Sequence, residues 1–275
     1  MDLLQRFRSP DRSFYPTPIW WWSGERLDAD RLRWQLERLV AGGARNFVIM
    51  NLLPEVPDIG KSRDDPPLFS EQWWGFFEGV CRDAEELGAS IWLYDQIGHG
   101  GANLLGEVTG RNPEATGMEL ERAVVEIDGA GAVECPPAGT PLAAALVGRD
   151  GTLRPVEVEG GAARASGSGR LMLFYTVPRG LDFFSPAACG ELIRTAFGPY
   201  EERVPERLGK LIVGTFQDEL PPLQTWSADF AERFRQLAGH DLVPRLAELW
   251  EDLSPDSCRV RRDFHQVRGR LAEEA

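Results

Sequence analysis

Lysine is nearly absent from this chain: Lys61 and Lys210 are the only two in 275 residues, and arginine supplies the rest of the 30 basic side chains. Against 43 acidic residues they leave a formal net charge of −13. Binding a phosphate backbone requires clustered cations that release counterions, and there is no basic stripe, so nucleic acid is excluded as a partner. Long apolar runs are missing as well. No stretch approaches the roughly 20 apolar residues of a membrane span. Met1-Asp2-Leu3-Leu4-Gln5-Arg6 lacks the apolar segment of a secretory leader. A cytoplasmic protein with no membrane partner is the expectation. Cysteine is sparse, and Cys81, Cys135, Cys189 and Cys258 show no Cys-x-x-Cys or other metal-type spacing. Cys81 and Cys189 fall on apolar positions of predicted helices, where a thiol serves as a small hydrophobe. Neither disulfides nor a metal centre is expected from them.

What is present is tryptophan, nine in all, and a regular alternation of strand and helix patterns. Residues 17–22 (Thr-Pro-Ile-Trp-Trp-Trp) read as a buried strand closed by Ser23-Gly24. Asp28 caps a helix with Leu32, Leu36, Leu39 and Val40 on its apolar face, stopped by Gly42-Gly43. Residues 46–51 form the next strand, and a Pro- and Asp-rich loop runs to residue 69. Ser70 caps a helix ended by Gly88, and residues 90–95 form a third strand. Short turns between alternating strands and helices predict βα units and a parallel sheet.

From about residue 119 to 178 the pattern becomes that of short strands, with Asp128-Gly129, Asp150-Gly151 and Gly160-Gly161 as hairpin turns and Ser166-Gly167-Ser168-Gly169 as a flexible tip. A small antiparallel β domain inserted after the third strand is expected. The α/β rhythm then resumes. Ser185-Pro186 opens a helix, residues 211–217 form a fourth strand, and Ser227 and Ser254 open two further helices. The sequence thus predicts an α/β fold: residues 1–118 hold three βα units, 119–180 the β insertion, and 181–275 the fourth unit with its following helices. Four βα units are half of the eight that close a (β/α)8 barrel of about 250 residues. The expected architecture is a partial TIM-type barrel.

Chemistry concentrates where the strands empty into loops. Strand C-termini of a parallel sheet converge on one face, the usual place for a site. Asp218-Glu219 follows the fourth strand and precedes Pro221-Pro222, which places two carboxylates on a rigid loop. Glycoside hydrolysis needs such a pair, one a protonated acid and the other a base or nucleophile. Alternatively, one carboxylate caps the next helix and the other is solvated. Asp95 ends the third strand, and Gln96-Ile97-Gly98-His99-Gly100-Gly101 follows, a glycine-rich loop that allows close approach of a ligand to the backbone. Asp95 either binds substrate or bonds the amides of a tight turn. His99 is a candidate polar contact; with no histidine nearby it has no metal role. Trp22 and Asn51, at the ends of the first and second strands, are candidates for lining a pocket and for hydrogen bonding. His240 reads as structural.

Together these stretches resemble a family. Pro18-Ile19-Trp20-Trp21-Trp22-Ser23-Gly24 is similar to an opening strand of the form Pro-Phe-Trp-x-Trp-Asn-Gly, and Leu68-Phe69-Ser70-Glu71-Gln72-Trp73-Trp74 to the start of that family's second helix. Trp92-Leu93-Tyr94-Asp95-Gln96-Ile97-Gly98 resembles Trp-x-Tyr-Asp-Glu-x-Gly. Phe216-Gln217-Asp218-Glu219, then Trp226 to Asp241-Leu242, resembles Phe-x-Asp-Glu followed by a phenylalanine-rich helix and Gly-Tyr-Asp-Leu. The family is the α-L-rhamnosidase-like glycoside hydrolases, family 106 and its relatives, whose catalytic part is a (β/α)8 barrel.

The resemblance implies carbohydrate as the partner, a general acid at Glu219 with Asp218 beside it, and sugar contacts from Asp95, Gln96, His99, Trp22 and Asn51. Gln96 stands where the family usually has Glu, His99-Gly100 where it has Pro-Ser, and Asn51-Leu52-Leu53 lacks its arginine. No cofactor is implied. Calcium is the one ion a carboxylate cluster would suit, and no ligand motif for it is present. Because only half the strands are expected, the alternative function is a non-catalytic carbohydrate-binding or truncated, vestigial barrel fragment. Closure would then call for a second copy or a complementary barrel half.

Overall fold

The computed structural model describes residues 3–11, 14–22, 25–51, 65–94, 106–218 and 222–275. In chain order the elements are α1 (Leu3–Arg8), β1 (Ile19–Trp21), α2 (Ala29–Ala41), β2 (Asn46–Met50), α3 (Glu71–Leu87), β3 (Ser90–Tyr94) and α4 (Glu107–Arg111). Then come β4 (Thr116–Glu134), β5 (Thr140–Gly148), β6 (Leu153–Val156), β7 (Val158–Glu159) and β8 (Ala162–Leu181). The chain continues through α5 (Pro186–Arg203), β9 (Ile212–Phe216), α6 (Phe230–Ala238) and α7 (Ser257–Glu274). The fold is mixed α/β, with one parallel and one antiparallel sheet. It divides into two compact units, Met1–Val108 with Glu191–Pro221, and Thr109–Gly190 with Pro222–Ala275. Among the described residues no helix is long and apolar enough to cross a membrane.

The first unit is built on a four-stranded parallel sheet of order β1-β2-β3-β9. All five residues of β2 are buried, as a strand covered on both faces requires. The helix signals in the sequence act where expected. Asp28 accepts from the Arg31 amide at 2.9 Å, Ser70 from the Trp73 amide at 3.2 Å, and Gly88 closes α3 in the left-handed conformation at φ 65°. One sheet face, with Trp20, Phe47, Ile49, Ile91 and Leu93, joins a core completed by Leu36 of α2 and by Trp73, Phe77 and Cys81 of α3. The other face carries Val48, Met50 and Tyr94, with Ile19, Trp92 and Phe216 beside them. Period-2 alternation divides the three tryptophans: Trp20 and Trp22 are buried in the first core and Trp21 is exposed. Arg33 ties α2 to α3 through Asp83 at 2.5 Å and Glu86 at 2.7 Å.

The second unit holds an antiparallel sheet of order β4-β8-β5-β6, with β7 also paired to β8. Two of the expected turns are present. Asp150-Gly151 joins β5 to β6, and Gly160-Gly161 joins β7 to β8 with φ of 57° and 78° at its two glycines. Asp128-Gly129 is not a turn, and Ser166-Gly167-Ser168-Gly169 is not a tip. Both lie inside long strands and face each other, Asp128 opposite Ser168 and Gly129 opposite Gly167. Two glycine-rich segments that each read locally as breakers stay extended because each supplies the other's ladder. The sheet's inner face, with Leu120, Val147, Met172 and Phe174, shares a core with Phe230, Phe234, Leu246, Val260 and Phe264.

The starts of the last two helices also differ from expectation. α6 begins at Phe230 after Asp229, because the Ser227 hydroxyl donates to the Asp229 carboxylate at 2.9 Å and does not cap the helix. α7 begins at Ser257 after Asp256, because Ser254 donates its hydroxyl to Glu248 at 2.7 Å. All four cysteines are free thiols. Burial pushes the Cys81 thiol up to about 12, as expected of a side chain used for packing.

Candidate active site

Because β1, β2, β3 and β9 are all parallel, their C-terminal ends lie along one edge of the sheet. Trp21 pairs with Met50, and Tyr94 with Phe216. Trp22, Asn51 and Gln217 are thus the first residues past the paired ends of β1, β2 and β9. Asp218 follows one residue later.

Asp218 is half-buried, and one of its carboxylate oxygens accepts from the Tyr94 hydroxyl at 3.3 Å. Tyr94 is 2% exposed and its ring stacks on Phe216, centroids 6.4 Å apart. The carboxylate is therefore oriented from the neighbouring strand by a phenol that packing holds in place. Alternation explains why the two meet: Tyr94 and Phe216 are in register, and Asp218, two residues after Phe216, returns to the same face. The sequence marks Tyr94-Asp95 as a strand end but does not announce the tyrosine as Asp218's partner. The parallel pairing of strands three and four is the signal that could have supplied it.

Asn51 is buried, and its side-chain oxygen accepts from the Trp73 indole at 2.9 Å. Trp73 also packs on Trp22, centroids 5.8 Å apart. Trp22 is 3% exposed, between Trp20, Trp73 and Phe77, and its indole N–H is buried with no hydrogen-bond partner among the described residues. Trp22 and Asn51 are thus brought together through Trp73, a residue whose sequence position suggests only core. Of the other candidates, Glu219, Asp95, Gln96 and His99 lie outside the described residues. His240 is in the second unit, 3.1 Å from the Asp263 carboxylate through its Nε2, a structural contact. Among the described residues no group of three or more His, Cys, Asp or Glu side chains is placed to hold a metal ion.

No family model matches the sequence, and no curated protein matches it significantly. Among solved structures, the chain is similar to a rhamnosidase from Novosphingobium sp. PP1Y, with a TM-score of 0.61 and 13% identity. The likeness covers 99% of this chain and 45% of that one, so the chain spans a little under half the length of the rhamnosidase it matches. At that identity the likeness shows the fold alone, which is like that of the rhamnosidase over nearly the whole of this chain.

Proposed function

We propose that this chain forms part of a glycoside hydrolase acting on α-L-rhamnosides or similar glycans, with Glu219 as general acid. The observation that carries the reading is an acidic pair, Asp218-Glu219, following the fourth consecutive parallel strand of a fold like a rhamnosidase's. In this reading β1, β2, β3 and β9 are neighbouring strands of a (β/α)8-type barrel, and their C-terminal edge is the sugar-binding face. Glu219 gives its proton to the glycosidic oxygen as the bond to the anomeric carbon breaks, so that the leaving group departs as a neutral alcohol. Asp218, oriented by Tyr94, is the carboxylate next to that acid in the chain. A neighbouring carboxylate raises an acid's pKa towards the range where it remains protonated at working pH. Asp95, Gln96, His99 and Asn51 supply hydrogen bonds to sugar hydroxyls in this assignment, and Trp22 backs Asn51. β1 and β9 pair with further strands in a closed barrel, and the mass measured in solution reports whether a second copy supplies them.

The test is Glu219→Gln with aryl α-L-rhamnosides. Positioned general acids contribute about 10²–10⁴-fold. The variant should lose that much with a poorly departing phenol, and much less with an acidic phenol that leaves without help, while binding stays intact by calorimetric titration. Turnover unchanged across both leaving groups would sink the assignment.

A further inference from the structure

We infer that Trp21 is a stacking platform for a pyranose ring at the C-terminal edge of the parallel sheet. β1 alternates between the two faces of that sheet. Trp20 joins the helix-covered core, and Ile19 packs on the opposite face with Val48, Met50 and Tyr94. Trp21, in register with Met50, shares that second face with Ile19. Phe216 lies on it too, and Asp218, which accepts from the Tyr94 hydroxyl, returns to it. The indole thus belongs to the same face and the same strand ends as the carboxylate of the candidate site.

A single exposed apolar side chain is ordinary on a protein surface; the surroundings set this one apart. Three of the nine tryptophans are exposed, Trp21, Trp34 and Trp250. Two of them are covered from within the chain. The Arg38 guanidinium lies 5.7 Å from the Trp34 ring, and Trp250 stacks on Phe174 with Arg122 5.0 Å from its centroid. Trp21 is 49% exposed and has neither a ring nor a cation against it among the described residues. Its place on an outer strand does not account for this, because Ile19 on the same strand and face is packed. Exposure begins where the strand ends. Trp22, which the sequence favours for lining a pocket, is buried and has no ring face to offer.

Polarity then selects the ligand. An apolar ligand spreading from the indole would strip water from Asp218, and an anion would be repelled by it. A pyranose presents C–H groups on one face, which cover an indole, and hydroxyls around its rim, which donate to a carboxylate. β1 and β9 are the outer strands of the sheet, three spacings of about 4.8 Å apart. A sugar ring together with the group it is linked to bridges that separation, so one glycoside reaches from the indole to Asp218. The inference rests on the reading of this edge as a sugar-binding face, and it does not depend on Glu219 as the acid.

The experiment titrates Glu219→Gln protein calorimetrically with the methyl glycoside of an α-linked rhamnose disaccharide. Adding Trp21→Ala should weaken binding about tenfold, the worth of one stacked aromatic face. Trp21→Phe should recover most of that loss, and Trp34→Ala should change nothing. Thermal melts check that each variant is folded, which the half-exposed position of Trp21 favours. Hydrolysis persisting in the Glu219→Gln background counts against the acid and not against the platform. Trp21-dependent binding of methyl α-maltoside, with the rhamnoside ignored, upholds the platform and counts against the rhamnoside assignment. Affinity indifferent to both Trp21 variants, an equal loss in Trp34→Ala, or no binding of either glycoside overturns the inference.

Discussion

Glu248 shows how much one side chain can organise. It is 4% exposed, yet its carboxylate accepts from Arg245 at 2.7 and 2.9 Å, from Ser254 at 2.7 Å and from Ser257 at 2.8 Å. The Arg245 guanidinium, aided by the two hydroxyls and opposed by burial, holds its pKa down to about 2. A carboxyl depressed in the folded state contributes its full stability above its ordinary value near 4.5 and loses it as pH falls towards the folded value. Glu248→Gln should therefore cost about 2–3 kcal/mol at neutral pH, the low end for a broken buried pair because Arg245 keeps some access to water. The cost should shrink in urea melts towards pH 3. An equal deficit at both pH values would mean that the charge is irrelevant. Ser254 reads as a helix start, but Glu248 as the common acceptor of Ser254 and Ser257 was not legible, since nothing local in Val243–Leu249 announces a buried carboxylate. At the candidate site the asymmetry is the same. Asp218 stood out as half of an acidic pair at a strand end, whereas its partner Tyr94 lies 124 residues away, and only strand pairing brings them together.

At the scale of elements, the four strands of the first unit and the caps of α2 and α3 were readable because each is specified by its own periodicity and punctuation, whereas the short helices α1 and α4 were not. The glycine-rich stretches of the second unit were readable only in part, Asp150-Gly151 and Gly160-Gly161 as turns but Asp128-Gly129 and Ser166–Gly169 not as strand, because the same residues serve opposite ends. Gly160-Gly161 turns the chain, with both φ values positive. Gly129 and Gly169 also have positive φ, 116° and 143°, but sit within strands. Of these two, Gly169 is pinned by sterics. A Cβ there would lie 2.1 Å from the Val147 carbonyl oxygen on β5, whereas a Cβ at Gly129 meets nothing within 4 Å. Gly169→Ala should therefore separate β8 from β5 and cost about 2–4 kcal/mol. Gly129→Ala should cost only the backbone strain, about 1 kcal/mol. Comparing the two in thermal melts isolates the close approach of the strands from the preference for glycine at positive φ. Equal losses would remove the steric argument.

Across the whole molecule, 13% identity accompanies a TM-score of 0.61, so the architecture is held by patterns of burial that many sequences satisfy. The order of amphipathic elements could be read from the chain, but the partner of each apolar face could not, since an apolar stripe does not name what covers it. The C-terminal helices illustrate this: their phenylalanines bury against the antiparallel sheet of the second unit. Phe230 is the joint. It is fully buried, 4.9 Å by centroid from Trp226, 6.0 Å from Phe184 and 5.5 Å from Phe264. Trp226 exchanges backbone hydrogen bonds with Met118 on β4 at 3.0 and 3.2 Å, Phe184 follows β8, and Phe264 belongs to α7. One ring thus links two strands to two helices that are distant in sequence. Phe230→Ala should cost about 3–5 kcal/mol. If sheet and helices share one core, the loss must spread, and hydrogen exchange should quicken at the amides of β4 and β8 as well as in α6 and α7. Phe230→Leu, which fills part of the space, should show the same pattern at smaller amplitude. Faster exchange confined to the helices, with the β4–β8 ladder as protected as before, would mean that they only rest on the sheet. The second unit would then have two cooperative parts in place of one.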